Sequence, residues 1–109
     1  MVEITNNPIQ TSQFSCGQEQ PLLLIAGPCV LESEESALAI ATSLQQQTAE
    51  LPVRLVFKAS FDKANRTSVH SYRGPGLEKG LSILKIVRDR LGIPVTTDIH
   101  EASQAAPAA

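Results

Sequence analysis

The sequence has few cysteines and little net charge, and each shortage excludes a class of protein. Its 109 residues include two cysteines, and 9 Lys and Arg against 11 Asp and Glu give a net charge of −2 at pH 7. Cys16 and Cys29 show no CxxC spacing, which excludes a zinc-finger pattern and a disulfide framework. The charge balance excludes a whole-chain attraction to nucleic acid or to an anionic membrane, so any anion binding must come from a local cluster.

Long apolar runs are also absent. The longest run, Leu22 to Ala26, is too short to span a bilayer. Polar residues and Glu3 stand where a signal peptide would have Lys or Arg and a long apolar stretch. We therefore expect a soluble, cytoplasmic protein with no membrane partner. The hydrophobic content of 42% is enough to bury a core.

The apolar segments predict three strands after a polar beginning. Residues 1–20 are polar and irregular, which is typical of a loose arm or a short hairpin, and we expect one domain over 21–109. The run Leu22 to Ala26 ends at Gly27-Pro28, and this pattern predicts a strand that is buried on both faces. Val53 to Lys58 predicts a second strand, and Val95-Thr96-Thr97 begins a third.

Helical spacing of apolar residues fills the segments between these strands. Ser33 predicts an N-cap with Glu34 and Glu35 in the first turn, and this helix ends near Leu51-Pro52. Leu77 to Leu91 carries a second helical stripe, which Gly92 ends. Residues 101–109 resemble the start of a third helix.

The resulting order, β-α-β-α-β, favours parallel strands joined by right-handed crossovers. Three strands cannot close a barrel, and a (β/α)8 barrel takes about 250 residues. The sequence is therefore either a small open α/β unit or the first three-eighths of a barrel.

Polar residues follow each predicted strand, and the densest group follows the second. Lys58, Lys63, Arg66 and Arg73 belong to this group, which suits phosphate and carboxylate. A solvated basic loop is the alternative. A nucleic-acid patch is disfavoured, because only Phe61 and Tyr72 are aromatic here and they show no stacking pattern.

Three further residues stand at strand ends. Cys29 follows the first strand, and from the residues alone a small buried thiol is favoured over a metal ligand. Alternation along the third strand places Asp98 and His100 on the same side. Asp98 either orients a sugar hydroxyl or a water, or only caps the next helix.

The motifs resemble the 3-deoxy-D-manno-octulosonate 8-phosphate (KDO8P) synthases over about residues 21–109. The resemblance is carried by the following runs: Ile25-Ala26-Gly27-Pro28-Cys29-Val30-Leu31-Glu32-Ser33, Phe57-Lys58-Ala59-Ser60-Phe61-Asp62-Lys63-Ala64-Asn65-Arg66-Thr67-Ser68, Ser71-Tyr72-Arg73-Gly74-Pro75-Gly76-Leu77-Glu78, and Thr96-Thr97-Asp98-Ile99-His100-Glu101. A run of this length is far more specific than a short glycine motif.

The resemblance implies a cytoplasmic transferase that condenses phosphoenolpyruvate with D-arabinose 5-phosphate and water, releases phosphate, and serves lipopolysaccharide biosynthesis. It implies the first three βα units of a (β/α)8 TIM barrel, incomplete as given, and a homo-oligomer, a tetramer in the family. Its partners would be small-molecule phosphates, with no nucleic acid. By the family pattern, phosphoenolpyruvate is held by Lys58 and by Lys63, the catalytic candidate, while Asp98 and His100 line the sugar pocket. Asn65, Arg66 and Thr67 would hold the arabinose phosphate.

The resemblance also reverses the interpretation of Cys29. The metal-dependent class of the family has cysteine at the Gly-Pro-Cys position, so Cys29 becomes an expected ligand of a divalent metal of the Zn, Fe or Mn type. The other expected ligands, a His, a Glu and an Asp, would lie beyond residue 109.

Two alternatives stay open at this point. The 3-deoxy-D-arabino-heptulosonate 7-phosphate synthases share the barrel and the enolpyruvyl chemistry, but Lys63-Ala64-Asn65-Arg66 differs from their Lys-Pro-Arg-Thr type of run. The second alternative is a non-catalytic phosphate-binding fragment. On either synthase interpretation, we expect the 109 residues by themselves to be inactive and poorly soluble, because one expected metal ligand cannot hold a catalytic metal and the inner sheet face would meet water.

Overall fold

The computed structural model of the protein describes residues 7–64 and 68–109, which form a parallel sheet with helices on one face. A small antiparallel hairpin comes first, made of β1 (Ile9–Gln10) and β2 (Ser15–Cys16). Of the two possibilities for the polar arm, the hairpin is therefore the one observed. Within the described ranges, no helix is both long and apolar enough to cross a membrane.

The sheet contains β3 (Leu22–Ala26), β4 (Val53–Lys58) and β5 (Val95–Thr96), in that spatial order. β4 is the central strand and pairs in parallel with both neighbours: Leu22 pairs with Val53 at one end, and Lys58 pairs with Thr96 at the other. The predicted α/β class and parallel pairing are thus confirmed. Strands that are consecutive in the sequence lie side by side in the sheet.

Helix α1 (Glu34–Thr48) begins where the sequence predicts. Ser33 is its N-cap and accepts a hydrogen bond from the backbone N–H of Ser36, whose hydroxyl in turn accepts from the Ser33 N–H. This capping box satisfies two backbone donors at the helix start. Glu34 and Glu35 lie in the first turn, where the helix dipole stabilises them.

Helix α2 (Leu77–Leu91) also has the predicted bounds, and Gly92 ends it in the left-handed conformation at φ 67°. A 3-10 turn (Ala102–Gln104) and the short helix α3 (Ala105–Ala108) follow β5. The expected third helix thus begins, but it is brief.

The core lies between α1, α2 and the helix-facing side of the sheet. Phe57, Leu31 and Val87 are almost completely buried within it. The Gln45 side-chain amide donates to the Leu91 carbonyl at 2.9 Å and joins the last turn of α1 to the end of α2. The core therefore holds β4 against both helices.

The other sheet face is open, and here one expectation is wrong. β3 was predicted to be buried on both faces, but Ile25, which lies on this face, is 52% exposed. Leu22, three positions earlier and therefore on the helix-facing side, is 69% exposed at the start of the strand. Ile25 pairs with Val56, which alternates with the helix-facing Phe57, so Ile25 lies on the face away from the helices. The described helices pack against the opposite face, although Val56, on the same face as Ile25, is only 4% exposed. An apolar run cannot report which face a helix covers.

Among the glycines, Gly27, directly after β3, lies nearest to another part of the backbone. A Cβ atom at this position would lie 1.8 Å from the carbonyl oxygen of Lys58. No side chain fits at that distance. Glycine is therefore required for the end of β3 to lie against the end of β4.

We predict that Gly27→Ala destabilises the protein by about 3 kcal/mol, because the methyl group must push two paired strand ends apart. The free energy of unfolding from urea titration measures the effect. Gly92→Asn is the matched control: a Cβ there meets no atom within 4 Å, and asparagine tolerates the left-handed conformation. A Gly27→Ala variant as stable as the control would contradict the close approach.

Candidate functional site

The candidate site lies at the carboxyl ends of the three parallel strands, which we call the rim. Cys29 follows β3, Lys58 is the last residue of β4, and Asp98 and His100 follow β5. Parallel strands place their carboxyl ends at one edge of the sheet, where ligands bind in α/β folds. Residues that are far apart in the sequence are therefore neighbours here.

Backbone hydrogen bonds continue past the ends of β3 and β4 and hold the first rim residues in place. The Ser60 N–H donates to the Cys29 carbonyl at 3.3 Å, and the Leu31 N–H donates to the Ser60 carbonyl at 2.9 Å. These two bonds extend the β3–β4 ladder and hold Cys29 beside Ser60. Cys29 is exposed, so the interpretation favoured from the residues alone, a buried thiol, is wrong.

His100 is positioned by contacts with the segment that follows β4. Its Nε2 lies 2.6 Å from the Asp62 carbonyl oxygen. A carbonyl only accepts, so Nε2 carries a proton, and in the neutral ring Nδ1 is the acceptor. The ring meets Phe61 edge to face at 5.8 Å between centroids. Phe61 is buried, which gives His100 a rigid support.

Asp98 lies next to His100, as the alternation predicts. The Asp98 Oδ2 is 3.8 Å from the His100 Nε2. Partial burial acts to raise the pKa of Asp98, but hydrogen bonds from Ser60 and from the Asp98 backbone, with the charges of Lys58 and His100, lower it more. The net pKa lies below the ordinary aspartate value. The rim therefore keeps a carboxylate ionised beside a lysine and an imidazole.

Ser60 is a buried polar residue at the centre of this arrangement. Its hydroxyl lies 2.9 Å from the Asp62 carbonyl oxygen. The same hydroxyl is near enough to the Asp98 carboxylate to lower its pKa by hydrogen bonding. A hydroxyl has one proton and cannot donate to both at once. The structure shows the donation to the Asp62 carbonyl. Because an ionised carboxylate is the stronger acceptor, we expect the hydroxyl to turn toward Asp98 when Asp98 is charged.

Lys63 follows β4 and is partly buried, and its backbone N–H donates to the Arg73 carbonyl at 2.6 Å. The Arg73 guanidinium donates to both carboxylate oxygens of Asp62, at 2.7 and 3.1 Å. Arg73, predicted as part of a basic cluster, is thus paired with Asp62, and its part in anion binding stays a prediction. Tyr72, next to it, is half exposed.

Three predicted site residues, Asn65, Arg66 and Thr67, lie outside the described residues. Of the remaining five, the structure brings Lys58, Asp98 and His100 together. Cys29 lies beside Ser60, and Lys63 is placed through its backbone bond to Arg73. Their roles in binding or catalysis stay predictions.

The described residues do not by themselves fit a resident metal. In 7–64 and 68–109, no three His, Cys, Asp or Glu side chains are grouped so as to hold an ion. A catalytic zinc uses three protein ligands, and Cys29 supplies one. We therefore assign no step of any reaction to a metal.

Asp62 was not among the predicted site residues, yet its carbonyl contacts His100 and Ser60 and its carboxylate holds Arg73. In the sequence it is the one acid among Lys58, Lys63, Arg66 and Arg73. The signal that was available is the lone acid itself, since an isolated carboxylate among cations is typically paired. A cleft of about 400 Å³ between α2, β5 and α3 includes none of the predicted site residues.

Comparison with known proteins gives consistent matches. The family model of the DAHP synthetase I family matches residues 2–109. A protein of Legionella pneumophila (strain Corby) named 2-dehydro-3-deoxyphosphooctonate aldolase is 57% identical over 81% of this chain and 32% of its own length. Proteins of the same name from Desulfatibacillum aliphaticivorans and Syntrophotalea carbinolica are 54% identical over 90% and 93% of this chain, and over 38% and 36% of their own. The chain thus spans about a third of the length of these relatives.

We predict that Ser60→Ala raises the pKa of Asp98 toward the ordinary value, because the carboxylate loses a hydrogen bond that favours its charged form. Carboxyl-carbon NMR titration measures this pKa, and Ser82→Ala on the exposed side of α2 is the control. An unchanged pKa in Ser60→Ala would mean that Ser60 donates only to Asp62. Since the folded pKa is lowered, the stability that Asp98 contributes is present above the unfolded pKa and is lost as pH falls through the folded value.

Proposed function

Because the chain belongs to the DAHP synthetase I family, we propose that it takes part in condensing phosphoenolpyruvate with D-arabinose 5-phosphate and water, giving 3-deoxy-D-manno-octulosonate 8-phosphate and phosphate. The observation that carries the proposal is the meeting of Lys58, Asp98 and His100 on the rim, within a chain 54–57% identical to proteins named for this product. The proposal concerns the native protein to which these residues contribute, on a (β/α)8 barrel whose first three units they form.

The two lysines are proposed to bind phosphoenolpyruvate, which carries a carboxylate and a phosphate. Lys58 is fixed at the end of β4 by strand pairing and by the contact of its carbonyl with Gly27. Lys63 extends from the next turn. Lysine is a mobile point charge that suits both anionic groups, and fixed positive charge stabilises the negative charge that develops as phosphate leaves.

Asp98 and His100 are proposed to hold the sugar. The ionised Asp98 carboxylate accepts hydrogen bonds from hydroxyls. Because the His100 Nε2–H is directed to the Asp62 carbonyl, Nδ1 is the nitrogen that would accept a sugar hydroxyl. Asn65, Arg66 and Thr67 are proposed to bind the arabinose phosphate, where a guanidinium offers a bidentate fork.

For the metal, the proposal extends only to Cys29. Its exposed thiol is a soft ligand of the kind that Zn, Fe or similar divalent ions accept. One such ligand does not hold a catalytic metal, so the lysines, Asp98 and His100 carry the part of the chemistry that we assign. A homo-oligomer, a tetramer by family resemblance, a cytoplasmic location and a place in lipopolysaccharide biosynthesis complete the proposal.

Substrate choice tests the proposal directly. Phosphate release by the native protein from phosphoenolpyruvate is measured with arabinose 5-phosphate and, separately, with erythrose 4-phosphate. We expect turnover with the five-carbon sugar. Preference for erythrose 4-phosphate would favour the heptulosonate synthase alternative, and turnover of neither would favour the non-catalytic one.

We predict that Lys63→Ala in the native protein lowers kcat by about 100-fold or more, because a preorganised positive charge is lost from the site. The fold should persist, since a rim lysine contributes little to the core. Lys79→Ala, which removes an exposed lysine in the first turn of α2, is the matched control. Near-normal turnover in Lys63→Ala with an unchanged thermal midpoint would remove Lys63 from the site.

A further inference from the structure

The two ends of the segment from Asp62 to Arg73 are held together by one side-chain ion pair and two backbone hydrogen bonds. The side chains form a two-bond ion pair at 2.7 and 3.1 Å. The Lys63 N–H donates to the Arg73 carbonyl at 2.6 Å, and the Gly76 N–H donates to the Phe61 carbonyl at 3.0 Å. The two backbone stretches therefore cross directly beside Lys63.

The crossing is close enough to require glycine. Gly74 has φ 118°, and a Cβ there would lie 2.5 Å from the Phe61 carbonyl oxygen. Phe61 itself is buried and packs against His100. The backbone at Phe61 is thus held in the protein interior. Arg73 pairs with Asp62, the next residue, and therefore binds to a well-packed part of the chain.

The geometry of the ion pair favours a structural use of Arg73. A guanidinium has five N–H donors, and Arg73 gives two of them to Asp62 in parallel, which fixes the orientation of its side chain. An isolated exposed ion pair contributes little by itself. Here, however, the pair reinforces the backbone bond between Arg73 and Lys63, and the segment it closes carries the proposed catalytic lysine.

We propose that Arg73 is a positioning residue: paired with Asp62, it forms a clamp that fixes Lys63 on the rim, and it does not bind substrate. This inference rests on the proposed function of Lys63. On this inference, Arg73 in the Ser71-Tyr72-Arg73 run positions Lys63 and does not recognise an anion. It also gives Asp62 two tasks: its carboxylate holds the clamp while its carbonyl orients His100.

The test compares Arg73→Lys, Asp62→Asn and the double variant in the native protein. Lysine keeps the charge but loses the fork, and asparagine keeps the shape but loses the charge. We expect each single variant to lower kcat by about 10- to 100-fold, the cost of a misplaced catalytic group. KM for phosphoenolpyruvate should change by less than about threefold, because the long lysine side chain still reaches its anion. The double variant should be no worse than the worse single one, because both changes remove one interaction.

Amide hydrogen exchange gives a readout that does not need turnover. The Lys63 amide should exchange faster in both single variants, because its bond to Arg73 opens more often. Arg88→Lys is the matched control, since Arg88 makes an exposed ion pair with Asp89 on α2, and it should change neither readout.

Three outcomes would overturn the clamp. An Asp62→Asn variant with a lower KM and an unchanged kcat would show that the freed Arg73 binds substrate. Arg73→Lys with full activity would show that charge alone suffices. Unchanged exchange at Lys63 in both variants would show that the pair does not hold the crossing. If the unaltered protein turns over neither sugar, the proposed function fails, and the exchange measurement still decides the clamp.

Discussion

The position of β4 between two parallel neighbours is the constraint on which the rest of the structure depends. One strand makes both ladders, so its register sets where β3 and β5 end. The contact of Gly27 with the Lys58 carbonyl then fixes the spacing at the end of the ladder with β3. The side chains that follow the three strands lie close together because parallel strands end at the same edge of the sheet.

Beyond the strands, Asp62 connects parts of the rim that come from different segments. Its carbonyl oxygen faces His100 from the β5 side, and its carboxylate faces Arg73 from the return of the chain. The two groups belong to one residue, so a shift of the return segment moves the support of the imidazole as well. The rim is therefore a coupled set of contacts rather than a row of independent side chains.

The sequence was sufficient for most of the local structure. Ser33 and Gly92 mark helix ends through hydrogen bonding and backbone conformation, which are local properties, and both positions were predicted correctly. The apolar run Leu22 to Ala26 alone did not predict the exposure of Ile25, because burial depends on what packs against a face and an apolar run does not encode its partner. The barrel interpretation, which expected the inner sheet face to meet water, agrees with this exposure. The pairing of Arg73 was missed for the same reason: eleven positions separate it from Asp62 in the sequence, and only the chain crossing joins them. The crossing itself depends on Gly74, which lies against the carbonyl oxygen of Phe61, thirteen positions earlier in the sequence.

The position of Tyr72 makes the site the main source of the intrinsic fluorescence of these residues. These 109 residues contain one tyrosine, three phenylalanines and no tryptophan, so the single phenol ring dominates their near-ultraviolet emission because phenylalanine emits only weakly. That ring is half exposed and lies one residue before Arg73, at the end of the segment that carries Lys63. The spectroscopic signal of this stretch of polypeptide therefore originates at its most polar edge and not in its core, where a fluorophore would report on folding instead.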